Sequence, residues 1–142
     1  MAGQRLTCTR RLEFDAGHRL VNHESKCRNV HGHRYVAEIT VGAEALDDVG
    51  RVVDFGEIKR VVGTWIDDVL DHGYIGQQGD PVLDLVAHHG WKLHAVTFPP
   101  TAENLAAYIL EASQRLLGPR FVVERVRLYE TPNGYADAEP RR

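Results

Sequence analysis

Cys27 stands four residues ahead of a His31-Gly32-His33 pair, and a third imidazole, His18, lies upstream in Phe14-Asp15-Ala16-Gly17-His18. Side chains two apart on an extended segment point the same way. His31 and His33 can therefore offer two nitrogens to one metal ion, and Gly32 lets the backbone pass close by. Three histidines with a fourth position open make the donor set of a catalytic zinc, because a structural zinc is closed by a fourth protein ligand. A lone His-x-His is a weak signal, since histidine also serves as an ordinary polar side chain. The third histidine and the thiol strengthen it. A thiol there can move protons when positive charge favours its thiolate, and Lys26 and Arg28 flank it.

Further along, Asp71 precedes His72. A carboxylate that meets an imidazole sets its tautomer and raises its basicity. Adjacent residues on a helix do not face each other, so such a pair belongs where a helix is ending. On the residues alone the same pair reads as a solvated helix terminus, where a histidine suits the helix dipole. Glu130 has the parity of Val122, Val126 and Leu128 and closes an apolar face. A carboxylate there needs matching donors. Thr101 and Glu103 suit a helix start by capping and dipole, and they also stand where a ring pocket could form. His88, His89 and His94 have no convincing geometric partner for a metal and read as surface polar residues.

The elements that must position these groups follow from periodicity. Leu6–Phe14 alternates as a half-buried strand, with Cys8 on its apolar side as a core residue. Residues 15–30 carry Gly17, Asn22, Ser25 and Asn29 and read as a long functional loop. Arg34–Ala43 alternates again, with Tyr35, Ala37, Ile39 and Val41 sharing the parity of His31 and His33. Asp54 and Glu57 have capping-box spacing. Ile58 through Leu70 then follow at helical spacing to a stop near Gly73. A short helix from Asp80-Pro81 through Val86 and an extended piece over 93–98 come next. Thr101 opens a second long helix that stops at Gly118-Pro119. Phe121–Glu130 is a strand, Pro132-Asn133-Gly134 a turn and Tyr135–Ala138 a hairpin return. The order strand, strand, helix, helix, strand, strand predicts an α+β domain, two main helices packed on one face of an antiparallel sheet.

At 142 residues a single domain over 1–142 is expected, with a loose tail at 139–142. The formal charge of -3 argues against an electrostatic nucleic-acid binder. No apolar run approaches membrane-spanning length, no leader peptide is expected, and a reducing cytoplasm is the expected compartment.

With these residues in hand, the sequence resembles the 6-pyruvoyltetrahydropterin synthase superfamily along almost its whole length. The resemblance rests on Phe14–His18, on Cys27 with His31-Gly32-His33, on Val53-Asp54-Phe55, on Leu70-Asp71-His72, on Pro100–Asn104 and on Tyr129-Glu130-Thr131. The three residues between Cys27 and His31 look like the bacterial 6-carboxytetrahydropterin synthase branch, which serves queuosine and other 7-deazapurine pathways. The resemblance implies a zinc held by His18, His31 and His33. It implies Cys27, Asp71, His72 and Glu130 as the catalytic group, with Glu130, Thr101 and Glu103 around the substrate ring. The implied substrate is a dihydropterin triphosphate. The implied fold is the tunnelling fold, whose subunits close β-barrels, commonly as a hexamer of two trimers. Two other readings use the same residues: a 6-pyruvoyltetrahydropterin synthase that leaves the side chain uncleaved, and a non-catalytic pterin- or metal-binding module. The chain departs from the family after His72, where Gly73-Tyr74-Ile75-Gly76 replaces a frequent Leu-Asn pair, and it is longer over 77–91.

Overall fold

The computed structural model describes residues 3–141. Strand β1 (Thr7–His18) pairs antiparallel with β2 (His31–Gly42) along its whole length, from Thr7↔Gly42 to His18↔His31. Parity sorts their side chains. Leu12, Phe14, Ala16 and His18 face inward with Tyr35, Ala37, Ile39 and Val41, all buried. Glu13, Asp15 and Arg34 face outward, where Arg34 donates to both carboxylates. The expected loop at 15–30 is therefore shorter, because residues 15–18 continue β1. Ala16 and Gly17 are poor strand formers, but pairing to neighbours on both sides satisfies their backbone and overrides the local preference.

The sheet has six strands in the order β4 (Leu93–Val96), β3 (Gly73–Gln77), β1, β2, β5 (Val122–Thr131) and β6 (Gly134–Ala138). Strand β3 (Gly73–Gln77) runs parallel to β1, and β4 (Leu93–Val96) runs parallel to β3. The sheet is thus mixed rather than antiparallel; the short helix expected from Asp80-Pro81 and the extended piece expected over 93–98 are both present, and β3 is the strand the sequence pattern did not give. Two glycines hid β3. One of them is required: a Cβ on Gly76 would lie 2.6 Å from Leu83 Cδ2 in helix α3 (Pro81–His88), so only glycine lets that helix settle on the strand.

On the other side of the core, α1 (Phe55–Ile58) continues through one π turn (Lys59–Gly63) into α2 (Thr64–Val69). Asp54 accepts from the Gly56 N–H at 2.8 Å. Glu57 pairs with Arg60 instead of returning to the cap, so the capping box is half formed. Helix α4 (Ala102–Leu117) begins at Thr101, whose hydroxyl accepts from the Asn104 N–H, and ends at Gly118. Strands β5 (Val122–Thr131) and β6 (Gly134–Ala138) form the closing hairpin. A bulge beside Thr40/Val41 shifts β5 by one residue, so Val123 is 1% exposed and Val122 47%, the reverse of the expected parity.

Ile58, Val62, Ile66 and Leu70 of the first helical rod and Leu105, Ala106 and Ile109 of α4 pack with Phe14, Tyr35, Ala37, Ile39, Val126 and Leu128 in one core. Each such large side chain contributes about 1.5–3 kcal/mol on burial. The histidine end of β1 and β2 is therefore carried on a rigid platform.

Candidate metal and thiol site

His18 and His31 are register partners at the end of the β1–β2 ladder, and His33 follows on the same face. Their rings converge, with centroids 4.6 Å (His18–His31), 5.2 Å (His18–His33) and 4.9 Å (His31–His33) apart. One ligand atom from each lies within 4.8 Å of the others. Two of the rings are fixed by backbone carbonyls. His18 Nδ1–H donates to Pro100 O at 2.8 Å, and His31 Nδ1–H donates to Asn29 O at 2.7 Å. A carbonyl only accepts, so these bonds put the proton on Nδ1 and leave Nε2 with its lone pair. Burial pushes the His18 imidazole below the usual histidine range, against the pull of Pro100 O and Glu130. Burial does the same for His33. The neutral form so favoured is the one that binds metal. Carbonyl-fixed tautomers at His18 and His31, neutral forms favoured at His18 and His33, and the convergence of all three rings fit a divalent cation.

Glu130, on β5, brings Oε1 to 3.4 Å from His18 Nε2 and 3.6 Å from His33 Nε2. Beneath them the fully buried Tyr35 hydroxyl lies 3.3 Å from His18 Nδ1. Glu130 and Glu103 line one depression of 370 Å³ between the start of α4 and the β5–β6 hairpin. Thr101 is occupied as the α4 cap, and the neighbouring Pro100 carbonyl holds His18.

Cys27 sits on a one-turn 3-10 helix (Lys26–Arg28) that buries none of its residues. Its thiol is outside the three-imidazole group. Cys8 is the other free thiol; burial pushes it up, and it points at Val53 O.

Asp71 and His72 do meet. His72 Nδ1 lies 2.9 Å from Asp71 Oδ2, and Asp71 Oδ1 accepts from the Asp15 N–H at 2.8 Å. His72 has φ +60, the left-handed conformation that lets neighbouring side chains turn toward each other as the helix ends. Burial raises the Asp71 carboxyl, but the Asp15 N–H, His72 and Lys92 together bring it below the usual range. The pair gathers round the Asp15 carboxylate. Asp15 faces outward, whereas His18, His31 and His33 face inward. Within one chain the sheet therefore separates His72 from the imidazole group.

Of the basic residues near Cys27, Arg34 is held by Glu13 and Asp15, and Arg19 by Asp80. His94 is not a surface group: it is half-buried, pairs with the Tyr108 hydroxyl at 2.7 Å, and burial pushes its imidazole down. Periodicity missed the carbonyls of Asn29 and Pro100, because backbone acceptors carry no side-chain signal. Among the described residues no helix is long and apolar enough to cross a membrane.

Residues 7–141 match the family model described as 6-pyruvoyl tetrahydropterin synthase. A relative from Rickettsia bellii named 6-carboxy-5,6,7,8-tetrahydropterin synthase is 43% identical over 136 residues, covering 93% of this chain and 99% of its own. Among solved structures, an uncharacterized protein from Wolinella succinogenes superposes with a TM-score of 0.85 at 22% identity, covering 98% of this chain and 100% of that one. The Caenorhabditis elegans 6-pyruvoyl tetrahydropterin synthase superposes with a TM-score of 0.74 at 24% identity, covering 97% of each chain.

Proposed function

Since the chain belongs to the 6-pyruvoyl tetrahydropterin synthase family and is an enzyme of the pterin synthase kind, a lyase, we propose that it is a zinc-dependent 6-carboxy-5,6,7,8-tetrahydropterin synthase. Its reaction converts 7,8-dihydroneopterin triphosphate and water into 6-carboxytetrahydropterin, acetaldehyde and triphosphate, as a step toward 7-deazapurines such as queuosine. The observation that carries the reading is the convergence of His18, His31 and His33 beside Glu130. The names of relatives that match 93% of the chain support the same choice.

Zinc held through the three Nε2 atoms would act as a Lewis acid toward the oxygens of the substrate side chain. The chain's own residues do the rest. Cys27, on its exposed turn, moves a proton to or from the side-chain carbons and ring. Glu130 accepts from the two adjacent N–H donors of the pterin's amino-pyrimidine edge, and its place beside His18 and His33 brings that edge next to the imidazoles that would hold the zinc. Glu103, in the same depression, borders the ring. Thr101 supports the wall through the α4 cap. His72, oriented by Asp71, is the second acid/base group. Because the sheet lies between it and the imidazoles of its own chain, His72 serves the site of a neighbouring copy. That arrangement agrees with an assembly in which open sheets close into barrels, a hexamer of two trimers in the cytoplasm.

Incubation of the zinc-loaded protein with dihydroneopterin triphosphate tests the reading. Acetaldehyde and 6-carboxytetrahydropterin in equal amounts are expected. A 6-pyruvoyl product without acetaldehyde would replace the branch assignment, and tight pterin binding without turnover would make the chain a binding module.

A further inference from the structure

None of the residues of the Cys27 turn is buried and Cys27 is only partly covered, so packing alone holds the turn weakly, yet a thiol that moves protons must sit within a fraction of an ångström of its target. Hydrogen bonds supply the restraint. Leu20 N–H donates to the Cys27 carbonyl at 2.9 Å. Arg19 Nε–H donates to the Arg28 carbonyl at 2.7 Å, and an Nη1–H of the same guanidinium donates to Asp80 Oδ1 at 3.0 Å. The Asp80 side chain is fully buried. It also accepts from the Tyr74 hydroxyl at 2.6 Å and from the Val82 N–H at 3.0 Å, which caps α3. A planar guanidinium can span two acceptors with fixed geometry. Arg19 therefore joins the thiol turn to a buried carboxylate anchored in β3 and α3.

We propose that Asp80, Tyr74 and Arg19 form a positioning clamp for the Cys27 turn. The residues act through the turn and do not touch substrate. The inference rests on the reading of Cys27 as the reactive thiol, but the placement of the turn can be measured independently. Two of the three guanidinium nitrogens of Arg19 are engaged, Nε by the Arg28 carbonyl and Nη1 by Asp80, so its orientation is set by these two acceptors. The β3–α3 segment then has a role in the reaction: it carries the fixed end of the restraint.

The test replaces Arg19 with Lys. This keeps a positive charge for Asp80 but loses the fork that also reaches Arg28 O. In the zinc-loaded assembly, iodoacetamide labelling of Cys27 and Cys8 is followed by peptide mass, alongside kcat, KM and zinc content. The expected result is a several-fold change in Cys27 labelling with Cys8 labelling unchanged. The expected kinetic signature is a fall in kcat of about 10–100-fold, the scale of an ångström-level misplacement, with KM and zinc content near wild type. Cys27 labelling and kcat both at wild-type values would overturn the proposal, as would a loss of thermal stability with kcat intact. If Arg19→Lys fails to fold, Tyr74→Phe removes one donor from Asp80; a smaller change in the same direction is expected, and wild-type values overturn the clamp. Full turnover by Cys27→Ala would remove the thiol's role while the labelling rate still decides whether Arg19 holds the turn.

Discussion

Replacing His18 and His31 separately with Ala gives two variants that should lose metal equally and stability unequally. His18 is 1% exposed and is the hydrogen-bond partner of the Pro100 carbonyl. Removing its ring leaves that buried acceptor unpaired, at about 1–3 kcal/mol, and opens a hole beside Tyr35 that adds to the cost. The sum is about 2–4 kcal/mol. A chain of this length loses about 3–5 °C per kcal/mol, between the values for smaller and larger domains, so Tm should fall by about 10 °C. His31 is only partly buried, and its bond to Asn29 O lies near solvent. Its removal should cost under about 1 kcal/mol. The comparison is made in excess chelator, so that lost metal binding does not enter, and at matched chain concentration. Zinc content is measured on separate samples by elemental analysis. Equal Tm losses would refute the assignment of His18 as the buried, carbonyl-locked member. Full zinc occupancy in either variant would refute the three-imidazole donor set.

Two further outcomes follow from the geometry. Cys27→Ala should abolish turnover while zinc stays near one per chain, and His72→Ala should also be inactive. When both variants are mixed by unfolding and reassembly, the proposed sharing of each site between two copies of a closed assembly predicts that activity returns at about one site in four; no recovery would mean that both groups act within one chain. The second outcome concerns acid stability. Burial raises the Asp80 carboxyl, but the Tyr74 hydroxyl, the Val82 N–H and Arg19 together hold it below the usual range. Its contribution is then fully present above the unfolded aspartate value near about 4 and is lost as pH falls through the lower folded value. The stability gap between wild type and Asp80→Asn should narrow below that pH in urea titrations; a constant gap would contradict the pairing.

Much of this was legible in the chain because side-chain period and burial coincide in β1 and β2. The parity that buries Tyr35, Ala37 and Ile39 also turns His31 and His33 inward, so the strand pattern alone places both imidazoles on one face. Helix α4 was legible for a similar reason, since Thr101 and Gly118 mark its ends by capping and left-handed backbone. Strand β3 was hidden because Gly73 and Gly76 are there for close packing against Lys92 and Leu83, and glycine reads as loop. The one-residue shift in β5 arose from a bulge whose cause is pairing to β2, not anything local. The side of the sheet on which Asp71 and His72 lie depended on parallel pairing between β1 and β3, a long-range contact with no periodic signature. In the sequence Asp80 signals only a helix start, because its partners Arg19 and Tyr74 are brought to it by the same pairing.

The most direct test of the central claim is X-ray absorption at the zinc edge of the loaded, substrate-free protein. A first shell of nitrogen and oxygen at roughly 2.0–2.1 Å is expected, with imidazole scattering from three rings and no sulfur. A sulfur shell at roughly 2.3 Å would make Cys27 a ligand instead of a free thiol, and would contradict the division of labour between the imidazoles that hold the ion and the thiol that moves the proton.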